Sequence, residues 1–280
     1  MRPSNNRSLD VLSAGEIVRA CEQNYIDYWR CVGKSPNAEF SEEGGITRCI
    51  TGLPQEMFNV VMRCRLSPYD LDARLDATID QFRSRRLCLI WHVGALTEPS
   101  DLGDRLEARG YPHDYDLEAM AIDLDSYEED KDPTDNVAVR TVANLEDCIS
   151  WVECLTRSWE SPAEVAPWML RNACFNTSIE RDRGFSLPRK MYLGSLGGRP
   201  AGSSMLFWNG DVVGLQDVGT VHFGRGKGVG GAVVMAAMKD ARTMGFRHLV
   251  VLSTVEGVGM YKKIGFKTFG KLPEHSMDFR

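Results

Sequence analysis

The sequence predicts a mixed α/β chain built from two units, and three observations carry that prediction. A β-branched run, Val218 to Val221, breaks into the glycine-rich segment His222-Phe223-Gly224-Arg225-Gly226-Lys227-Gly228, and an unbroken helical pattern follows. Upstream, strand-like runs are joined by Gly197-Gly198 and Asn209-Gly210, both strong hairpin signals. Residues 126–136 form a polar, acidic stretch containing Pro133, which reads as a linker. The expected organisation is a first unit at 1–127, a linker at 128–136 and a second unit at 137–280.

In the second unit, Val137 to Val142 reads as a strand and Asn144 to Trp159 as a capped helix with apolar residues at helical spacing. A further helix is expected over Pro162 to Ala173. Lys190 to Leu193, Ala201 to Trp208 and Val212 to Val221 then form an antiparallel meander. After the glycine loop come an alanine-rich helix (Gly230 to Met244), a buried strand (His248 to Leu252), a helix ending at Gly265, and a closing strand.

The first unit reads as a worn copy of the second. Leu87 to Val93, Asp101 to Gly110 and Tyr111 parallel Leu249 to Ser253, the Tyr261 helix and Phe266 of the second unit, with Leu106 opposite Tyr261. Opposite the glycine loop stands Arg65 to Asp72, which has no glycine and carries Pro68, Asp70 and Asp72, so an anion would be repelled there. Ile46 to Met62 reads as a degenerate first half. An unrelated helical cap accounts for the same acidic helices.

With 280 residues, 43% of them apolar, and both charge signs well represented, the chain is globular rather than disordered. No run of about 18 apolar residues occurs, so no membrane span is expected. Met1 to Ser8 lacks the apolar core of a signal peptide, which points to the cytoplasm and makes the Asn6-Arg7-Ser8 and Asn176-Thr177-Ser178 glycosylation patterns chance matches. Eight cysteines (21, 31, 49, 64, 88, 148, 154, 174) contain no C-x-x-C pair; they are expected reduced and buried, with no metal site. Residues 1–127 carry 14 basic and 21 acidic side chains, whereas 137–280 carry 18 and 13. The basic half holds the glycine loop, which suits an anionic ligand, but the excess lacks the interleaved aromatics of a nucleic-acid surface.

Four glycines in the six residues 226–231 let successive backbone N–H groups point into one concavity, and the helix that follows adds its partial positive charge. A P-loop cannot be written here, because Lys227 is followed by Gly228 rather than by Ser or Thr. Gly226, Gly228 and Gly231 spell G-x-G-x-x-G, but the 49 residues after Gly231 cannot complete a dinucleotide-binding half. Read instead as Arg225-x-x-Gly228-x-Gly230, with Tyr261 four residues before Gly265-Phe266, the segment resembles the GNAT superfamily of N-acyltransferases. The match is specific over about Val212 to Gly270 and extends to Val137. His222 departs from the proline the family often carries before the loop.

The resemblance implies a GNAT fold, a central mixed and mostly antiparallel sheet flanked by helices, present here as two tandem GNAT-like domains of which only the C-terminal one binds cofactor. It implies acetyl-CoA or another acyl-CoA as donor, an amine-bearing acceptor, and transfer by direct attack through a tetrahedral intermediate. Val218, Gly219, Thr220, Val221, Arg225, Gly226, Lys227, Gly228, Val229, Gly230, Gly231 and Tyr261 are the expected cofactor contacts. Arg225 holds a phosphate or braces the loop, and Lys227 adds charge there or points to water.

Such a reaction needs an unprotonated amine, a site for the developing oxyanion and a proton for the departing thiolate. Tyr261, a phenol protonated at neutral pH, is the expected acid. The Val221 N–H is the expected oxyanion donor. Asp217, on the same strand, either orders the water that takes the amine proton or serves the hairpin. Glu160 and Glu164 are expected to be solvated helix-end charges or to attract a cationic amine, Trp159, Trp168 and Trp208 core residues or an acceptor wall, and His275 a surface residue. Two alternatives stay open: a non-catalytic acyl-CoA-binding module, and an acyltransferase with an aminoacyl-tRNA or acyl-carrier-protein donor.

Overall fold

The structure is a computed structural model that describes residues 9–35, 37–127, 136–172 and 188–280. Its strands are β1 (Glu39–Ser41), β2 (Ile46–Ile50), β3 (Asn59–Cys64), β4 (Leu89–His92), β5 (Tyr115–Asp123), β6 (Val137–Thr141), β7 (Arg189–Leu196), β8 (Arg199–Asn209), β9 (Val212–Thr220), β10 (His248–Ser253) and β11 (Lys267–Met277). Its helices are α1 (Ala14–Val32), α2 (Leu71–Ser84), α3 (Leu102–Glu107), α4 (Leu145–Ser158), α5 (Val165–Asn172), α6 (Val229–Thr243) and α7 (Val255–Ile264). The expected Asn144 cap of α4 forms, its side chain accepting from the Asp147 N–H at 2.9 Å. Ala173, most of the expected linker and the 176–178 glycosylation pattern lie outside the described residues.

All eleven strands join in one sheet of order β1-β2-β3-β4-β11-β5-β10-β9-β8-β7-β6. The order passes between the two units three times. β5, from the first unit, lies antiparallel between β10 and β11; β11, from the second, lies antiparallel between β4 and β5. Each unit is therefore completed by the last strand of the other, and the edge that β10 and β4 would each expose is closed by exchange.

Neighbouring residues on a strand face opposite sides of the sheet, and the core clusters follow that rule. Ala119, Ala121 and Val250 pack under Ile17, Val18 and Cys21 of α1, whereas Met120, Ile122, Leu249 and Val251 pack under Val233, Val234 and Ala237 of α6. The C-terminal turns of α1 continue over the same face as α4, where Ile26 and Trp29 share a cluster with Trp151, Leu155, Met191 and Met205. Helix α1 starts with a capping box: the Glu16 N–H donates to Ser13 Oγ at 3.2 Å and the Ser13 N–H to Glu16 Oε2 at 2.8 Å.

The two units repeat one arrangement. β3 runs parallel to β4 as β9 runs parallel to β10, and in each case only two register pairs form before the strands part: Val60↔Ile90 and Val61↔Trp91, and Val213↔Leu249 and Gly214↔Val250. In the first unit the gap is filled by backbone, since the Glu98 N–H donates to Cys64 O at 2.7 Å and the Leu66 N–H to Glu98 O at 3.0 Å. In the second it stays open. Leu106, expected opposite Tyr261, is fully buried beneath α2.

Among the described cysteines six are buried and Cys31 is partly exposed, all seven unbridged. Removal from water pushes the thiols of Cys21, Cys49 and Cys64 up to about 12, which leaves them unreactive at neutral pH. Among the described residues no cluster could hold a metal ion, and no helix is long and apolar enough to cross a membrane.

Candidate active site

A cleft of about 1690 Å³ opens where β9 and β10 part, and it runs from the glycine loop to the far side of the sheet, where the first unit supplies the wall. At the loop end, Gly226 and Gly228 have φ of +72° and +81°, backbone that side chains with a Cβ avoid. The α6 ladder begins with the Ala232 N–H donating to Gly228 O, so the N–H groups of Val229, Gly230 and Gly231 have no partner within the helix. Gly230 lets α6 approach α7 closely, since a Cβ there would lie 2.9 Å from Met260 Sδ and 3.0 Å from Thr220 Oγ1. Nothing lies within 4 Å of a Cβ built on Gly226 or Gly231. The result is an open cradle of backbone donors at a helix N-terminus, the geometry that receives a diphosphate.

Arg225 braces this cradle. Its Nη2 donates to Ser158 O at 3.1 Å and its Nε to Thr220 O at 3.3 Å, tying the loop to the end of α4. Lys227 points to solvent and does not line the cleft. The remaining expected contacts, Val218, Gly219, Thr220, Gly226 and Gly228 to Gly231, line it together with Arg225 and Tyr261.

Val221 corrects an expectation. It is 2% exposed, belongs to the core and spends its N–H on Ala201 O at 3.0 Å, so it cannot offer that donor to a ligand. The reason is a bulge at Asp217 and Val218, upstream on the same strand. Between Met205↔Gln216 and Ser203↔Gly219 the β8–β9 register slips, and Asp217 takes φ +52°. The backbone that faces the cleft is therefore Val218 and Gly219.

Asp217 lies within that bulge and lines the cleft. Its carboxylate accepts from the hydroxyl of Tyr28 on α1, at 3.1 Å to Oδ2 and 3.3 Å to Oδ1. Removal from water pushes its carboxyl up to about 7, the Tyr28 bond opposing the rise. Left-handed backbone in a non-glycine residue costs about 1–2 kcal/mol, and such cost concentrates at functional sites. Tyr261 on α7 stacks edge-on against Phe266 at 5.2 Å, and its hydroxyl has no hydrogen-bond partner among the described residues. Burial raises its phenol above the ordinary value, so it is protonated at neutral pH.

Beyond Asp217 the wall is aromatic and comes from both units: Tyr25, Tyr28 and Trp29 of α1, Phe58, and Trp159. Phe58 meets Trp29 at 6.4 Å and Trp159 at 6.2 Å. Trp168 is core and Trp208 only packs against it, while Glu160 and Glu164 are exposed and off the cleft. His275 is not a surface residue: it is 2% exposed and its Nδ1 lies 2.9 Å from Tyr111 O. Helix α1, with Tyr25 and Tyr28, is absent from the elements expected from sequence, although Ser13-x-x-Glu16 before Ile17, Val18 and Cys21 marks its start.

Residues 149–266 match the model of the acetyltransferase (GNAT) family. That segment is similar to GNAT acetyltransferase domains. No curated protein matches the sequence. Solved structures share the fold over nearly the whole length at low identity. A GCN5-related N-acetyltransferase from Kribbella flavida is 13% identical with a TM-score of 0.66, the match covering 92% of this chain and 95% of that one. One from Sphaerobacter thermophilus is 16% identical, TM-score 0.59, covering 96% and 92%. A tandem GNAT protein from the clavulanic acid biosynthesis pathway is 13% identical, TM-score 0.58, covering 96% and 97%. The mixed α/β GNAT fold expected from sequence is the fold observed, and its whole-length neighbours include a tandem form.

Proposed function

We propose that the chain is an N-acyltransferase that moves an acetyl or other short acyl group from a coenzyme A thioester to a primary amine. The observation that carries this reading is the opening between β9 and β10, which has a diphosphate cradle at one end and both Asp217 and Tyr261 along its walls. The cradle fits coenzyme A on its own terms, because Gly226 and Gly231 leave space that side chains would fill and Gly228 holds a positive φ that side chains with a Cβ avoid. When bound there, coenzyme A supplies the activated acyl carbonyl.

The chain's own groups divide the remaining work. Val229, Gly230 and Gly231 present N–H donors to the diphosphate, and Arg225 holds the loop that carries them. The backbone at Val218 and Gly219 lines the cleft and would polarise the acyl carbonyl of a bound thioester. Asp217, with a carboxyl at about 7, takes the amine proton directly or through water as the C–N bond forms. Tyr261 gives its proton to sulfur as the C–S bond breaks. One proton enters at Asp217 and one leaves from Tyr261, so a proton must return to the phenolate before the next cycle.

Calorimetric titration of acetyl-CoA into the full chain, followed by assay of amines for thiol release, tests the reading. One site per chain and amine-dependent release are expected. Absence of binding overturns it; binding without release by any amine leaves the non-catalytic acyl-CoA module.

A further inference from the structure

The acceptor end of the cleft holds a second carboxylate that the transfer chemistry does not use. Glu274, on β11, lines the cleft yet is only 6% exposed. Its carboxylate accepts no hydrogen bond from any described residue. Its nearest charged-group contact is His92 Nδ1 at 3.3 Å, and that nitrogen is itself without a hydrogen-bond partner. His92 does not answer the charge, because burial pushes it down to about 3 and keeps it neutral. Removal from water, then the nearby Asp114 and Glu56, push the Glu274 carboxyl up to about 8. Asp114 and Glu56 line the same end of the cleft and are exposed at its mouth.

The basic residues that line the cleft do not neutralise this end. Arg225 is tied to Ser158 O and Thr220 O, and Arg280 donates to Asp278 and to Pro54 O. Lys263 lies on α7, exposed. Between the two carboxylates runs the aromatic face of α1. Tyr28 reaches Asp217, while one turn earlier Tyr25 meets His92 edge-on at 5.1 Å, the same His92 that lies against Glu274. A carboxylate this buried is costly unless a cation meets it, and rings beside it favour an ammonium group and an alkyl chain.

We infer that the acceptor is a dication: one amine is presented to Asp217 for acylation, a second cationic group sits on Glu274, and an apolar chain joining them lies along Tyr25 and Tyr28. This rests on the acyl-transfer reading above and names the substrate class for that site. The first unit thereby supplies one wall of the acceptor site, through α1, and the exchanged strand β11 supplies its anchoring charge.

The test compares α,ω-diaminoalkanes with n-alkylamines of matched length, acetyl-CoA being the donor and the full chain the enzyme. One diamine length is expected to exceed its matched monoamine in kcat/KM by about tenfold or more, the difference lying in KM. In Glu274→Gln that ratio should fall towards one, and Glu274→Asp should restore part of it at a different chain length. Equal kcat/KM for diamines and monoamines in the wild-type chain overturns the inference while leaving acyl transfer intact, and it does so even if the variants fail to fold. A preference that survives Glu274→Gln unchanged also overturns it. Failure to bind acetyl-CoA, measured separately by calorimetry, instead removes the acyltransferase reading on which the inference stands.

Discussion

The hydroxyl of Tyr28 donates to both carboxylate oxygens of Asp217, joining a helix of the first unit to the bulged strand of the second. The bond fixes the carboxylate at the wall of the cleft and favours its charged form, against the desolvation that raises its pKa to about 7. A base of that pKa is half ionised near neutrality without being so acidic that it cannot hold a proton.

Turnover should therefore rise with pH through about 7, because the carboxyl must lose its proton to act. Asp217→Asn is expected to lower kcat by about 10² or more and to remove that limb of the profile. Tyr28→Phe deletes a donor to the charged form, so the limb should move to higher pH. A limb unchanged in Tyr28→Phe would show that the bond does not tune the base.

Tyr261→Phe removes one proton donor and leaves the cradle untouched. Calorimetry should find acetyl-CoA affinity retained, while steady-state assay finds slower turnover, the loss growing with the basicity of the leaving thiolate. Identical turnover at every pH would refute the acid assignment.

The cradle depends on two backbone features. Gly228→Ala places a Cβ at φ +81°, at a cost of about 1 kcal/mol, and should loosen the loop. Gly230→Val adds side-chain volume 2.9 Å from Met260 Sδ, where α6 meets α7. The double variant should lose acetyl-CoA binding by calorimetry with its circular dichroism intact.

Buried acids set the response to pH in the absence of ligand. Glu22 is 1% exposed, its Oε2 accepting from the Leu96 N–H at 3.0 Å, and desolvation pushes its carboxyl up to about 7; Glu274 reaches about 8 and Asp217 about 7. Folded carboxyls with raised pKa hold protons that the unfolded chain has already released, so their stabilisation is full in acid and is lost as pH rises through 7 to 8. His92, depressed to about 3 from an ordinary 6.5, has the opposite slope between those values and opposes the loss only at the acid edge of this window. Thermal or urea unfolding should show stability falling by about 1–3 kcal/mol between pH 6.5 and 8. Glu22→Gln should flatten the slope.

What could be read from sequence was local, and what could not was long-range. The glycine loop, Tyr261 and the order of elements from Val137 onward are set by spacing within a few dozen residues, and the structure places them as spacing implies. The assignment of Val221 failed because a single inserted residue at the bulge moves the cleft-facing backbone upstream, and no composition signal marks it. Tyr28 meets Asp217 across 189 positions, and Glu274 lies on a strand whose neighbours, β4 and β5, belong to the other unit. His275 was unreadable for the same reason: its buried setting is created by Tyr111, 164 positions away.

The exchange of β5 and β11 also bears on how the chain comes to be folded. When the first unit has emerged during synthesis, β4 still lacks the partner that begins at Lys267, and β5 has nowhere to dock until β10 exists. Domain-by-domain folding, the usual course for a chain of two repeats, is closed to it. A product beginning at Val137 should accordingly be recovered as aggregate, with the bare flank of β10 as the adhesive edge, while adding residues 9–127 as a separate polypeptide should rescue it into soluble material of full-chain size on gel filtration.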